Sequence, residues 1–344
     1  GLRGISPQGV RDMPSSIYDI ARAAGCSIST VSKALNDHYS IAEETKRRVR
    51  AVAEELHYQP SARARNFASR KSGSALFVTD FYRNIGYENP HMFEIINGAT
   101  HALEEKGYSL LLRNMRAADA PALLQDAMLR EQADGVLLHA TILTKQLAMV
   151  LMKADLPYLV IGRPGFSTGV SWMDVNHESA GRLAADYLLD RGYRRVAFLL
   201  GNAREDTIAQ SRLKGMNEVF AEEALSVETI PGCLTYEEGA RAAEALLDRA
   251  ERPEVIVCSS NTLAVGCLHA LRARGVDIPG GMALMTFDNY PFSMIVQPQI
   301  TAVDLDMYDM GWEAARFLLR RIHKPNLQTQ SFCTTPRLIA RDST

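Results

Sequence analysis

Between Ser27 and Lys33 the sequence reads SISTVSK. Ser27, Ser29, Thr30, Ser32 and Lys33 carry short hydroxyls and one cation, the side-chain types that hydrogen-bond to phosphate oxygens and base edges. Ile28, Val31 and Leu35 form an apolar set at near-helical spacing, so the polar groups face outward from a short helix. Ser27 stands where a serine caps such a helix.

Before it, Ile17, Ile20, Ala21 and Ala24 mark another short helix, and Gly25-Cys26-Ser27 supplies the turn. Two short helices with a tight bend read as a helix-turn-helix, in which the first helix braces a second whose N-terminal residues reach the major groove. An ordinary helical hairpin in a core is the plainer alternative. The outward hydroxyls, Lys33 and the basic segment that follows favour nucleic acid. A third helix, Glu43 to Tyr58, presents Thr45, Val49, Val52, Ala53 and Leu56 close to helical spacing, which completes a small three-helix domain.

The formal charge of the 344-residue chain is -2, but its distribution is uneven. Met13 to Ser72 holds ten Lys or Arg against six Asp or Glu, while the rest, apart from residues 1–12, holds 26 against 33. A basic segment on an acidic body points to a polyanionic partner for the small part. Gln59 to Ser74, QPSARARNFASRKSGS, is basic and is broken by Pro60 at its start and Gly73 near its end. Ser61 can cap a turn or two of helix through Phe67, which is too short to stand without a partner.

From Ala75 the pattern becomes alternating strand and helix. Strands are expected at 75–80, 108–112, 135–140, 157–162, 195–201, 254–260, 282–288 and 301–305. Helices are expected near 91–106, 121–132, 177–191, 206–224, 236–250, 261–274 and 308–322. Runs apolar on both faces, each followed by an amphipathic helix, imply doubly wound parallel sheets. Two such units with a break near Asp174-Val175-Asn176 fit the segment lengths better than one large sheet. Ligands bind at the carboxyl ends of such strands, so facing sheets create a cleft between lobes.

Hydrophobic residues are 47% and charged residues 23%, as in ordinary globular chains. Apolar runs fall short of the roughly 18 residues of a membrane span, and no membrane association is expected. The five cysteines are scattered and read as free thiols. Residues 1–12 lack the apolar region of a secretory signal and read as a leader. The eight histidines show no metal spacing, and neither GxSxG, a Walker loop nor GxGxxG occurs. Asp174, His177 and Glu178 could form an acid–base group, but at the lobe crossing they are assigned hinge and helix-cap roles. No enzyme activity, metal or cofactor is expected.

SIYDIARAAGCSISTVSKALND and IAEETKRRVRAVAEELHYQPSARARNFA resemble the headpiece and hinge of the lactose-repressor/purine-repressor family of bacterial transcription regulators. ENPHMFEIINGATHALEEKGYSLLL, ADGVLLH, VIGRP, QSRLKGM, SSNTLAVGCLHALRARGVDIP, TFDN and RLIARDST extend the resemblance over nearly everything after Met13. It implies an α/β fold: an all-α helix-turn-helix headpiece at 13–59, a hinge helix and linker at 60–73, and a two-lobed periplasmic-binding-protein-like core. One lobe is expected to comprise 74–175 with about 305–326, and the other 176–304 with about 327–344.

The resemblance implies a cytoplasmic homodimer that binds a pseudo-palindromic double-stranded operator under control of a small-molecule effector, with a carbohydrate foremost. A periplasmic-type solute receptor shares the two lobes and is the alternative. The family's base-reading positions fall on Ile28, Ser29 and Lys33. Its phosphate contacts fall on Ser16, Tyr18, Ser27, Thr30, Ser32 and Asn36. Phe67, flanked by Arg63 and Arg65, stands where the family inserts a leucine into the minor groove. Effector contacts fall on Arg212, Asn261 and Asp288. His91 and Met92 replace a common aromatic pair, Leu234 replaces an aromatic that stacks on sugars, and Gly162 replaces an aspartate found in some members. A glycoside, a modified sugar or a small acid paired with Arg212 all stay open.

Overall fold

The computed structural model describes residues 16–35, 37–58, 72–83, 85, 90–120, 122, 133–154, 156–201, 207–327 and 331–344. The leader, Asn36 and the hinge residues Arg63, Arg65 and Phe67 lie outside them, as does nearly all of the helix expected near 121–132. The chain divides into two compact units, Gly1–Gly73 and Ser74–Thr344.

In the first unit, α1 (Ile17–Ala23), α2 (Ile28–Leu35) and α3 (Glu43–Glu55) enclose a small core of Ile20, Ala21, Ala24, Val31, Ala34, Val49 and Ala53. Neither short helix could persist in water by itself; packing onto α3 holds both. At the start of α1 the Asp19 carboxylate accepts from the Ser16 amide at 2.9 Å and its hydroxyl at 2.6 Å. Gly25, at φ +62°, makes the bend in a left-handed conformation that suits glycine. The Thr30 amide donates to Ser27 Oγ at 3.1 Å, which caps α2. After α2, Asp37 reaches Arg50 (2.7 Å) and Lys46 (3.4 Å) and fastens the loop to α3.

The second unit holds two six-stranded sheets. The first is built from β1 (Ser74–Thr79), β2 (Ser109–Asn114), β3 (Gly135–His139), β4 (Tyr158–Ile161), β5 (Trp172–Val175) and β11 (Phe332–Thr334), in the order β11-β5-β4-β3-β1-β2 and parallel throughout. The second contains β6 (Val196–Leu199), β7 (Glu228–Ile230), β8 (Val255–Cys258), β9 (Ala283–Phe287), β10 (Thr301–Asp304) and β12 (Arg337–Ile339) in the order β12-β10-β9-β8-β6-β7. Only β12 in that sheet runs antiparallel. β1, β3, β4, β6, β8 and β9 are buried along nearly their whole length, as strands covered on both faces must be.

The helices are α4 (His91–Glu104), α5 (Lys145–Lys153), α6 (His177–Asp190), α7 (Thr207–Glu222), α8 (Tyr236–Leu247), α9 (Asn261–Ala273), α10 (Pro291–Ile295) and α11 (Met307–His323). Three helix pairs meet through reciprocal glycines. A Cβ on Gly98 or Gly311 would lie 2.0 Å from a carbonyl oxygen of the other helix, which locks α4 to α11. Gly181 and Gly215 do the same for α6 and α7, and Gly239 and Gly266 for α8 and α9. Backbones approach this closely only where no side chain intervenes.

The chain passes between sheets after β5, after β10 and after β11. The last crossing corrects the expected boundary: residues 327–344 do not all belong to the second lobe, because Phe332–Thr334 pairs with Met173–Val175 in the first sheet. Strands β5, β7, β11 and β12 and helices α5 and α10 were not expected from the sequence. Each of those strands has only three or four residues; β7, β11 and β12, at three, are too short for a periodic signal. Among the described residues no helix is long and apolar enough to cross a membrane.

Candidate functional site

On the first unit, the candidate DNA-reading groups Ile28, Ser29 and Lys33 are all exposed on α2, while Val31 and Ala34 point into the core. Tyr18 is 65% exposed on α1. Ser27 is engaged as the cap and its hydroxyl lies 2.8 Å from Thr30 Oγ1, so both remain at the helix N-terminus, where the backbone dipole favours an anion. Ser16 holds Asp19, and Ser32 is partly buried.

On the second unit, the carboxyl ends of the parallel strands bring polar groups together. Asp288 follows β9 in a left-handed conformation, φ +87°. The Asp288 amide donates to the Val303 carbonyl at 2.9 Å, and its own carbonyl accepts from Asn261 Nδ2 at the start of α9. Its carboxylate, 5% exposed at the residue level, lies 3.8 Å from Arg212 Nη2 on α7. Arg212 donates from Nη1 to the Ser259 carbonyl at 2.9 Å and lies over the Phe287 ring, 4.5 Å from its centroid.

From the other lobe, His91 at the first turn of α4 places Nε2 3.1 Å from Asp288 Oδ2. Its Nδ1 meets the Tyr290 hydroxyl, and the two rings pack edge to face at 4.8 Å. Burial alone would push the Asp288 carboxyl up. The charge and hydrogen bond of His91, with the charges of Arg212 and His177, outweigh it and hold the group below the usual carboxylate range. Burial foremost, then the Asp288 charge, drives the Tyr290 phenol above its ordinary range. Tyr290 therefore stays protonated, and its hydroxyl pairs with His91 Nδ1 while His91 Nε2–H donates to Asp288.

A second pair adjoins the first. His177 Nε2 lies 3.5 Å from Asp174 Oδ1, and Asp174 also accepts from the Arg163 and Val175 amides, each at 2.8 Å. Asn176 Oδ1 caps α6 by accepting from the Ser179 amide at 2.9 Å. Burial pushes the His177 imidazole down. Burial pushes His139, at the end of β3, down to about 4, against the pull of Asp174 and with the push of His91.

Thus Arg212, Asn261, Asp288 and His91 converge, while Met92 and Leu234 do not join them. Met92 is 2% exposed and packs in the core, and Leu234 is 65% exposed, its amide donating to Glu238 at 2.8 Å. The sequence reading missed Tyr290 and His139. The aromatic two residues past Asp288 and the histidine ending GVLLH were the available signals. Among the described residues no group of three or more His, Cys, Asp or Glu could hold a metal ion.

Comparison with known proteins agrees with both units. Residues 16–61 match the family described as bacterial regulatory proteins, lacI family, and residues 185–344 match a periplasmic binding protein-like domain. Catabolite control protein A of Priestia megaterium is 29% identical over 336 residues, covering 96% of this chain and 100% of the relative. The ribose operon repressor of Haemophilus influenzae is 27% identical over 335 residues, covering 96% and 98%. The transcriptional regulator CelR, solved as a cellobiose complex, is similar with a TM-score of 0.69 at 26% identity, covering 96% of this chain and 100% of that one. The lac repressor dimer bound to operator and the anti-inducer ONPF shares the fold, with a TM-score of 0.74 at 18% identity over 96% of this chain and 99% of that one.

Proposed function

The chain belongs to the lacI family of bacterial regulatory proteins, and from that premise we propose that it is a transcription repressor whose hold on DNA is set by a small molecule bound between its core lobes. Ile28, Ser29 and Lys33 read base edges. Ser16, Tyr18, Ser27, Thr30, Ser32 and Asn36 fix the register on phosphates, and Arg63, Arg65 and Phe67 enter the minor groove. The protein acts as a homodimer, so its operator is pseudo-palindromic. A chromosomal operator puts it in the cytoplasm. It has no catalytic role.

Arg212, Asn261 and Asp288 form the effector site, and the effector is a sugar or sugar derivative. Relatives named for a ribose operon and solved with cellobiose support that class. Ligand binding shifts DNA affinity only if it favours one arrangement of the lobes over the other.

The observation that carries this reading is the outward row of Ile28, Ser29 and Lys33 on the second helix of a braced helix-turn-helix. Selection of bound duplexes from a random library by the full chain, followed by anisotropy titration, tests it. A two-fold-related consensus is expected, and equal affinity for all duplexes would refute it.

A further inference from the structure

Asn261 Oδ1 and Asp288 Oδ1 are buried, and neither accepts a hydrogen bond among the described residues. Asn261 and Asp288 are 4% and 5% exposed, so water does not wash over them freely. Leaving such acceptors unsatisfied carries the desolvation penalty of a buried polar atom. Both are relieved by a hydrogen-bond donor and neither by an anion. Arg212 beside them serves the Ser259 carbonyl, the Phe287 face and the Asp288 carboxylate.

The other Asp288 oxygen does have a donor, and it comes from the opposite lobe. His91 stands on α4, which packs with the first sheet, whereas Asp288 and Tyr290 follow β9 in the second. The Tyr290 hydroxyl holds Nδ1, which turns Nε2 toward Asp288. The imidazole remains partly exposed, its side chain at 24%, and is the more accessible partner of the pair.

We propose that His91 is an internal stand-in for the effector: its imidazole occupies Asp288 across the cleft, and a ligand binds by presenting donors to Asp288 and Asn261 and displacing it. This rests on the reading of the cleft as an effector site and narrows the ligand. The site takes molecules with adjacent hydrogen-bond donors, a polyol or an amino sugar. His91 then sets specificity as an intramolecular competitor, lowering the apparent affinity by the fraction of molecules in which it holds Asp288.

Free imidazole is the probe, since it restores the displaced group. In the full-length His91→Ala chain, imidazole is expected to bind saturably by ligand-observed NMR, roughly tenfold or more tighter than in the wild type. Acetate is expected to bind neither, and adding Asp288→Asn is expected to abolish the imidazole signal. His91→Asn, too short to reach Asp288 while keeping a polar first turn, is the second variant if the alanine chain does not fold. Equal imidazole binding with and without His91, no binding to either variant, or acetate binding in its place overturns the proposal. Neither operator nor sugar enters the test, so its failure removes the stand-in role and leaves the regulator reading to the duplex selection.

Discussion

The backbone of Arg212 rests directly on Gly181: a Cβ at Gly181 would lie 1.9 Å from the Arg212 carbonyl oxygen. One glycine on α6 thereby sets how far α7 carries the guanidinium toward Asp288. Two opposing effects meet in Gly181→Ala. Helix propensity favours alanine by about 1 kcal/mol, whereas overpacking against fixed backbone costs typically about 1–3 kcal/mol and occasionally more. The carbonyl belongs to a helix and cannot rotate away, so the second effect wins. Gly181→Ala is expected to lower stability in urea denaturation; a gain would show that α7 shifts at little cost.

Arg212 and Asp288 test the buried charge pair. Arg212→Leu leaves the Asp288 carboxylate with His91 as its remaining neighbour among the bonded partners. Breaking one side of a buried pair costs about 3–5 kcal/mol. Adding Asp288→Asn removes the stranded charge, and asparagine tolerates the left-handed backbone at 288. The double variant is therefore expected to be more stable than Arg212→Leu alone. Additive losses in the two single variants would mean that the 3.8 Å pair contributes no coupling.

Stability is expected to depend on pH through His139. Its pKa falls from 6.5 to about 4 on burial, opposed by Asp174 and aided by His91. Below 6.5 the unfolded chain binds a proton that the folded chain refuses until near 4, so stability is complete above 6.5 and declines as pH falls through that window. The full shift corresponds to about 3 kcal/mol. His177 is also depressed and adds in the same direction. Asp174 and Asp288 lie below the usual 3.8, so their losses begin at lower pH. His139→Gln is expected to flatten the melting temperature between pH 4 and 6.5. An unchanged slope would assign it to other groups.

The sequence made the headpiece and the long strand–helix alternation legible because their signals are periodic and local. Ser27 as cap, Val31 in the core and the eight expected strands all follow from spacing. Arg212, Asn261 and Asp288 were expected together only through the family resemblance, because no local pattern ties a residue inside α7 to the ends of β8 and β9. Met92 and Leu234 illustrate the limit. Met92 turns inward and Leu234 stays out, and local spacing specifies neither orientation. The His91–Tyr290 bond depends on the left-handed turn at Asp288 and on the approach of two lobes nearly 200 residues apart in sequence, which no local pattern encodes. Strand β11 escaped for a related reason: a three-residue strand takes its identity from the edge it finds, here β5.

Lys33 and Tyr18 separate reading from holding. Lys33 is exposed on the second turn of α2, where a long cationic stem reaches a guanine edge. Tyr18, 65% exposed on α1, offers one neutral hydroxyl suited to a phosphate oxygen. Lys33→Ala is expected to cost about 1–3 kcal/mol on the selected duplex and to relax the preference at one position of each half-site. Tyr18→Phe is expected to weaken every duplex by the same factor and to leave the salt dependence unchanged, because losing a neutral donor alters no counterion release. If Lys33 touched phosphate instead, its removal would reduce the salt slope by about one and leave the base preference intact. Anisotropy titrations of both variants across salt concentrations, on the selected duplex and on single-base variants of it, distinguish the two roles.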